Sequence, residues 1–133
     1  MAGHVDLLGI LYAIWGALSV LLGLALISLG LGAVAIFTAG GLDPQSEVTA
    51  GITAVIFCLA GVVALVWGVL HVWDGLSLRQ HRPWARLLGL LLAVFNLFSF
   101  PFGTALGMYA LWVMVNDHTR VLFGRAPRHP ATA

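Results

Sequence analysis

The sequence predicts an all-α integral membrane bundle of four transmembrane helices, two long ones and a short hairpin. Three observations predict it. Hydrophobic residues make up 61% of the 133-residue chain and charged residues 8%, whereas an ordinary soluble domain carries about 25% charge. The apolar residues fall into uninterrupted runs punctuated by glycine, proline and arginine. The arginines gather at two places that an even number of crossings puts on one side of a membrane. A domain this small cannot bury so many apolar side chains in water, so lipid has to be the solvent for the remainder.

The first helix is expected over residues 7–38. That stretch carries no charge and would reach about 45 Å, well beyond the roughly 30 Å hydrocarbon core. Its start lacks the basic residues of a signal peptide, and its apolar run outlasts the roughly 7 to 15 residues of a signal core, so it reads as a membrane helix despite the cleavage-like Ala33-Val34-Ala35. Gly40-Gly41-Leu42-Asp43-Pro44 stops it, and Ser46 with Glu47 marks the start of a second helix over 47–78. A basic loop with Arg79, His81, Arg82 and Pro83 leads to a third helix over 84–98. Pro101 lacks an amide hydrogen and disfavours helix at the residue before it, which breaks the chain before a fourth helix over 103–116. The last two segments fall short of the roughly 17 apolar residues that cross unaided. They form a short hairpin whose Phe-rich turn, Phe98 to Gly103, can sit in the outer leaflet only where protein covers its backbone. Residues 1–123 make a single domain, and 124–133, with Pro127 and Pro130, form a disordered tail.

Arg79, Arg82 and Arg86 flank the second loop, and Arg120, Arg125 and Arg128 lie at the C-terminal end, while the first loop holds Asp43 and Glu47. Cytoplasmic loops attract arginine. Both termini are therefore expected in the cytoplasm.

The formal charge of +1, with every basic residue an arginine, gives no reason to expect a nucleic-acid partner. Cys58 is the single cysteine, so there is no disulfide framework and no thiolate metal site. No nucleophile stands beside a base, and there is no phosphate-cradling glycine loop or metalloprotease motif; the expectation is a protein that is not an enzyme and carries no cofactor.

Gly9, Gly16, Gly23 and Gly30 recur every seven residues in the first helix, and Ala54, Gly61, Gly68 and Gly75 at the same spacing in the second. A seven-residue period marks one helix face, and small residues there let backbones approach. These stripes are expected to join the first two helices as an antiparallel pair, with a neighbouring subunit as the alternative partner of one stripe. Gly103, Gly107 and Ala110, facing Gly89 and Ala93, suggest a smaller face within the hairpin or a dimer contact. The shared pattern Trp-Gly-x-Leu-x-Val at Trp15 and Trp67 admits an internal duplication, although the match is short.

Polar groups in lipid are costly and point to function. His71 and Asp74 lie one turn apart near the end of the second helix, where the helix dipole disfavours an anion, so Asp74 calls for a partner such as Arg79, Arg82, Arg86 or Arg120. Asn116, Asp117 and His118 end the fourth helix on the same side. The candidate polar cluster is thus His71, Asp74, Asn116, Asp117, His118, Arg79 and Arg82, read either as a salt-bridged interface or as a proton, ion or anionic-headgroup site. Asn96 and Ser99 either bond across helices or satisfy the broken backbone ahead of Pro101, and Tyr12, Trp73 and Trp84 suit interfacial positions.

The run Pro101-Phe102-Gly103-Thr104-Ala105-Leu106-Gly107-Met108-Tyr109-Ala110-Leu111-Trp112-Val113 resembles the last helix of small bacterial four-helix inner-membrane proteins of uncharacterised activity. The resemblance implies a bacterial inner-membrane location and brings no site with it. The expected function is non-enzymatic, through helix packing in the bilayer, as a homo-oligomer or an accessory subunit of a larger membrane complex. The alternatives are a small channel or transporter subunit with a polar site at the cytoplasmic mouth, and haem or metal binding through the histidines.

Overall fold

The computed structural model describes residues 2–41, 43–99 and 101–124. The described residues form five helices joined by short turns, α1 (Ala2–Ala39), α2 (Pro44–Arg79), α3 (Ala85–Asn96), α4 (Phe102–Val115) and α5 (Asp117–Leu122). The first two are 38 and 36 residues long and apolar enough to cross a membrane; α3 and α4 are shorter apolar helices. The tail expected over 124–133 lies outside the described residues beyond Gly124.

The helix boundaries differ from the sequence expectation for local reasons. α1 begins at Ala2 because a helix need not end where its apolar run ends: Val5, Leu8, Gly9 and Tyr12, spaced i, i+3, i+4 and i+7, make a buried face that includes the polar first turns. α2 begins at Pro44, three residues earlier than expected, because Asp43 caps it. The Asp43 carboxylate accepts from the Ser46 amide at 3.3 Å and from its hydroxyl at 2.6 Å, and Pro44 suits the first helical position, where no amide hydrogen is needed. Those hydrogen bonds hold the Asp43 carboxyl below its ordinary value of 3.8. The residues expected to close the fourth helix instead start α5. Asn116 turns extended, with ψ 136°, and its side chain accepts from the His118 amide at 3.1 Å.

The chain packs as two units. One contains residues 16–70, the C-terminal part of α1 and the N-terminal part of α2. Its buried positions are all small: Gly16, Gly23, Gly30, Ala50, Ala54, Gly61 and Gly68. A Cβ built on Gly23 would lie 2.7 Å from the carbonyl oxygen of Gly61, and one on Gly61 would lie 2.7 Å from that of Gly23; on Gly68 it would meet the Gly16 oxygen at 2.6 Å, and on Gly30 the Ala54 oxygen at 3.1 Å. The α-hydrogens therefore point at carbonyls across the seam, a recurrent contact at close helix interfaces. The large side chains point outward, among them Leu21, Leu29, Ile36, Ile52, Val55 and Leu59. Only 11% of the most apolar window of α1 and 17% of that of α2 are buried within the protein.

The other unit contains residues 1–15 and 71–133. Here the start of α1 and the end of α2 pack with α3, α4 and α5 around a core of Leu8, Tyr12, Leu78, Leu92, Val113 and Met114. Gly75 meets α1 as the residues above meet each other: its Cβ would lie 2.5 Å from the Gly9 oxygen. Gly107 brings α4 onto α3, with the Ala93 oxygen 2.6 Å from its Cβ position, and Gly103 is pressed against the Ser99 side chain and the Asn96 carbonyl. At the break between α3 and α4 the Thr104 amide donates to the Ser99 carbonyl at 3.2 Å and its hydroxyl to that of Leu97 at 3.0 Å.

Candidate functional site

The second unit differs from the first in what fills its core. At the end of α2 His71, Asp74, Gly75 and Leu78 are buried, again at i, i+3, i+4 and i+7, with Ser77 beside them, so three of the five buried positions are polar. On α3 the residues Ala85, Gly89, Leu92 and Asn96 make the facing stripe. His71, Asp74 and Asn96 are all 0% exposed, as is Tyr12 of α1. Buried polar groups are costly unless paired, and their hydrogen bonds describe the site.

The Asn96 amide nitrogen lies 3.0 Å from His71 Nε2. The Tyr12 hydroxyl donates to the Gly89 carbonyl at 3.2 Å, and its ring stands 5.3 Å from that of His71. It also lies beside Asp74 and Asn96. Asp74 presses on α3 where that helix lacks a side chain, since a Cβ on Gly89 would be 3.1 Å from Asp74 Oδ2. Neither carboxylate oxygen of Asp74 has a hydrogen-bond partner among the described residues, nor has Asn96 Oδ1. The cluster is thus rich in acceptors and short of donors.

Among the described residues none of the arginines expected to pair with Asp74 hydrogen-bonds to it. Arg86 is buried and sends Nε and Nη2 to the Met114 carbonyl at 3.2 and 3.0 Å, because the last turn of α4 leaves carbonyls that need donors. Arg82 donates to the Gln80 side chain at 2.9 Å. Arg79 is exposed and lines an open groove of 450 Å³ with Asp6, Ile10, Leu76 and Gln80. Arg120 has a buried Nε without a hydrogen-bond partner among the described residues.

Of the residues expected to join His71 and Asp74, Asn116 and His118 bond each other at the start of α5, and Asn116, Asp117 and His118 all reach the surface. Tyr12 and Asn96 take the places beside His71 instead. Tyr12, expected at an interface, is buried because it falls on the same helix face as Leu8 and Gly9. The sequence signal for both was a polar residue at a core position of an apolar helix, readable only once the facing helices are known. Trp73 and Trp84, expected at interfacial positions, make an edge contact at 5.8 Å and are exposed. His4 joins Tyr109 through a 3.1 Å hydrogen bond and stands 5.6 Å from the Trp112 ring, fastening the start of α1 to α4. Among the described residues no three His, Cys, Asp or Glu side chains group to hold a metal ion.

No protein-family model, curated protein or solved structure matches this chain.

Proposed function

We propose that the chain is an integral membrane protein that works through helix contacts, as a homo-oligomer or as an accessory subunit of a larger membrane complex. One observation carries the reading. In residues 16–70 the fully buried positions of the two helices are all glycine or alanine, Val20, Ile27, Cys58 and Leu65 reach the seam beside them, and most of the large apolar side chains are exposed. Water would not tolerate that surface, whereas lipid tails or apolar partner helices fit it. The glycine seam also shows how this sequence builds helix contacts, by close approach instead of large interlocking side chains.

In this reading α1 and α2 cross the bilayer. Their lengths correspond to about 57 and 54 Å, enough to span with tilt and to protrude. At about 18 and 21 Å, α3 and α4 fall short of a roughly 30 Å core. They form a hairpin that enters beside α2 and returns, its turn submerged and its backbone satisfied internally as lipid demands. The arginine-bearing segments then share one face, which the positive-inside rule makes the cytoplasm. The resemblance of residues 101–113 supports a bacterial inner membrane.

Purification in mild detergent, with size measured by light scattering and partners identified by mass spectrometry, tests the reading. A discrete oligomer or a co-purifying membrane protein is the expected result; a strict monomer with no partner overturns it. A second reading, a channel or transporter subunit, is favoured by the burial of His71 and Asp74. Flux into liposomes unchanged by His71→Ala and Asp74→Ala removes it.

A further inference from the structure

The structure assigns a proton-binding site to Asp74: in the packed protein its side chain is a neutral carboxylic acid, held among Tyr12, His71, Gly89 and Asn96. The argument counts hydrogens. Asp74 is 0% exposed, and among the described residues both its oxygens lack a donor, as does Asn96 Oδ1. The Tyr12 hydroxyl points to the Gly89 carbonyl and the Asn96 amide faces His71 Nε2, and among the described residues no group donates to Asp74. An ionised carboxylate left in this position carries a charge with neither solvent nor donor, the costliest arrangement a buried acid can adopt. One proton removes the charge and creates the donor that the cluster lacks.

The groups facing Asp74 make a proton the fitting ligand. From α1 comes Tyr12, whose hydroxyl is bonded to the Gly89 carbonyl. On α2 itself His71 stands one turn earlier, and α3 presents the bare backbone of Gly89, Asn96, and Arg86, whose guanidinium is turned to the Met114 carbonyl of α4. The Leu78 methyl carbons close the same spot, 3.7 and 3.8 Å from the Cβ position of Gly89. A hard cation asks for roughly six oxygen ligands, and this tight, partly apolar setting does not offer them. A proton needs no coordination sphere. The site would supply the transporter reading with its ion, yet it stands whether or not that reading does.

Infrared spectroscopy of the full-length protein in nanodiscs, with aspartate labelled at the side-chain carboxyl carbon, tests the assignment. Wild-type protein at neutral pH is expected to show the C=O band of a protonated aspartic acid. Asp74→Asn, which preserves shape without charge, is expected to lose it, and Tyr12→Phe to shift it by changing the polarity beside the acid. The Tyr12→Phe shift serves as the assignment if Asp74→Asn does not fold. A wild-type spectrum with no protonated band, a band that survives in Asp74→Asn, or one unmoved in Tyr12→Phe overturns the proposal. Loss of the band on adding sodium or potassium also overturns it, in favour of a cation site. None of these outcomes depends on oligomeric state or flux.

Discussion

Gly23 and Gly61 each direct an α-hydrogen at the other's carbonyl, so a single added methyl has no room on either residue. A backbone oxygen 2.7 Å from the new carbon cannot rotate aside as a flexible side chain can, and the helices must separate. Gly61→Ala is therefore expected to destabilise the protein by about 1–3 kcal/mol, the range for overpacking, in a denaturant titration in detergent. Gly51→Ala, at a helical position with nothing within 4 Å of the new carbon, is expected to be neutral or slightly stabilising in the same titration. Equal losses at both positions would show that the seam is not what holds the pair. Tyr12→Phe deletes one buried hydroxyl from the polar core. Hydrogen bonds between membrane helices average about 0.6 kcal/mol, so only a small loss of stability is expected.

At the scale of elements, two helix ends depend on side chains from outside the helix or just before it. Arg86 of α3 satisfies the Met114 carbonyl in the last turn of α4, from the neighbouring helix. Arg86→Met keeps most of the apolar stem and removes the guanidinium. The expected loss is about 1.5–3 kcal/mol, as for a hydrogen bond to a charged group, with faster amide exchange in the last turn of α4. Exchange unchanged there would mean that another donor replaces it. Asp43 caps α2 through Ser46, and its carboxyl is held low by those bonds. A group whose folded value is depressed contributes stability above its unfolded value and loses it as pH falls through the folded one. The first turn of α2 should accordingly fray only in acid below 3.8, and Asp43→Asn, which keeps the cap but not the charge, should abolish that pH dependence in amide exchange.

For the whole molecule the membrane reading makes a directional statement. Two crossings by α1 and α2 and a hairpin that returns to its starting side put both ends in the cytoplasm, and so would four crossings. The hairpin turn separates these arrangements. In a Cys58→Ala background, Phe98→Cys is expected to resist a membrane-impermeant thiol reagent from either face of a vesicle, although Phe98 is 86% exposed within the protein itself. Labelling from outside would show that α3 and α4 cross completely, and reporters on the two termini that appear on opposite sides would contradict both arrangements.

Composition and hydropathy are additive over residues, which is why the all-α class and the two long apolar helices were legible in the chain. The glycine period was legible too, because a strict spacing on a helix defines a face before any partner is known. Which residues meet His71 was not legible. Tyr12 looked like an interfacial aromatic and Asn96 equally like a residue bonding across helices, as it does, or one serving the turn, while Asn116, Asp117 and His118 looked like the natural company of Asp74. Contact between residues distant in sequence depends on where helices lie relative to one another, and no local property of Tyr12 or Asn96 encodes that. Only tertiary packing decided that Asp74 faces the bare backbone of Gly89 without an arginine, since a helix end offers its arginines several acceptors and geometry selects among them.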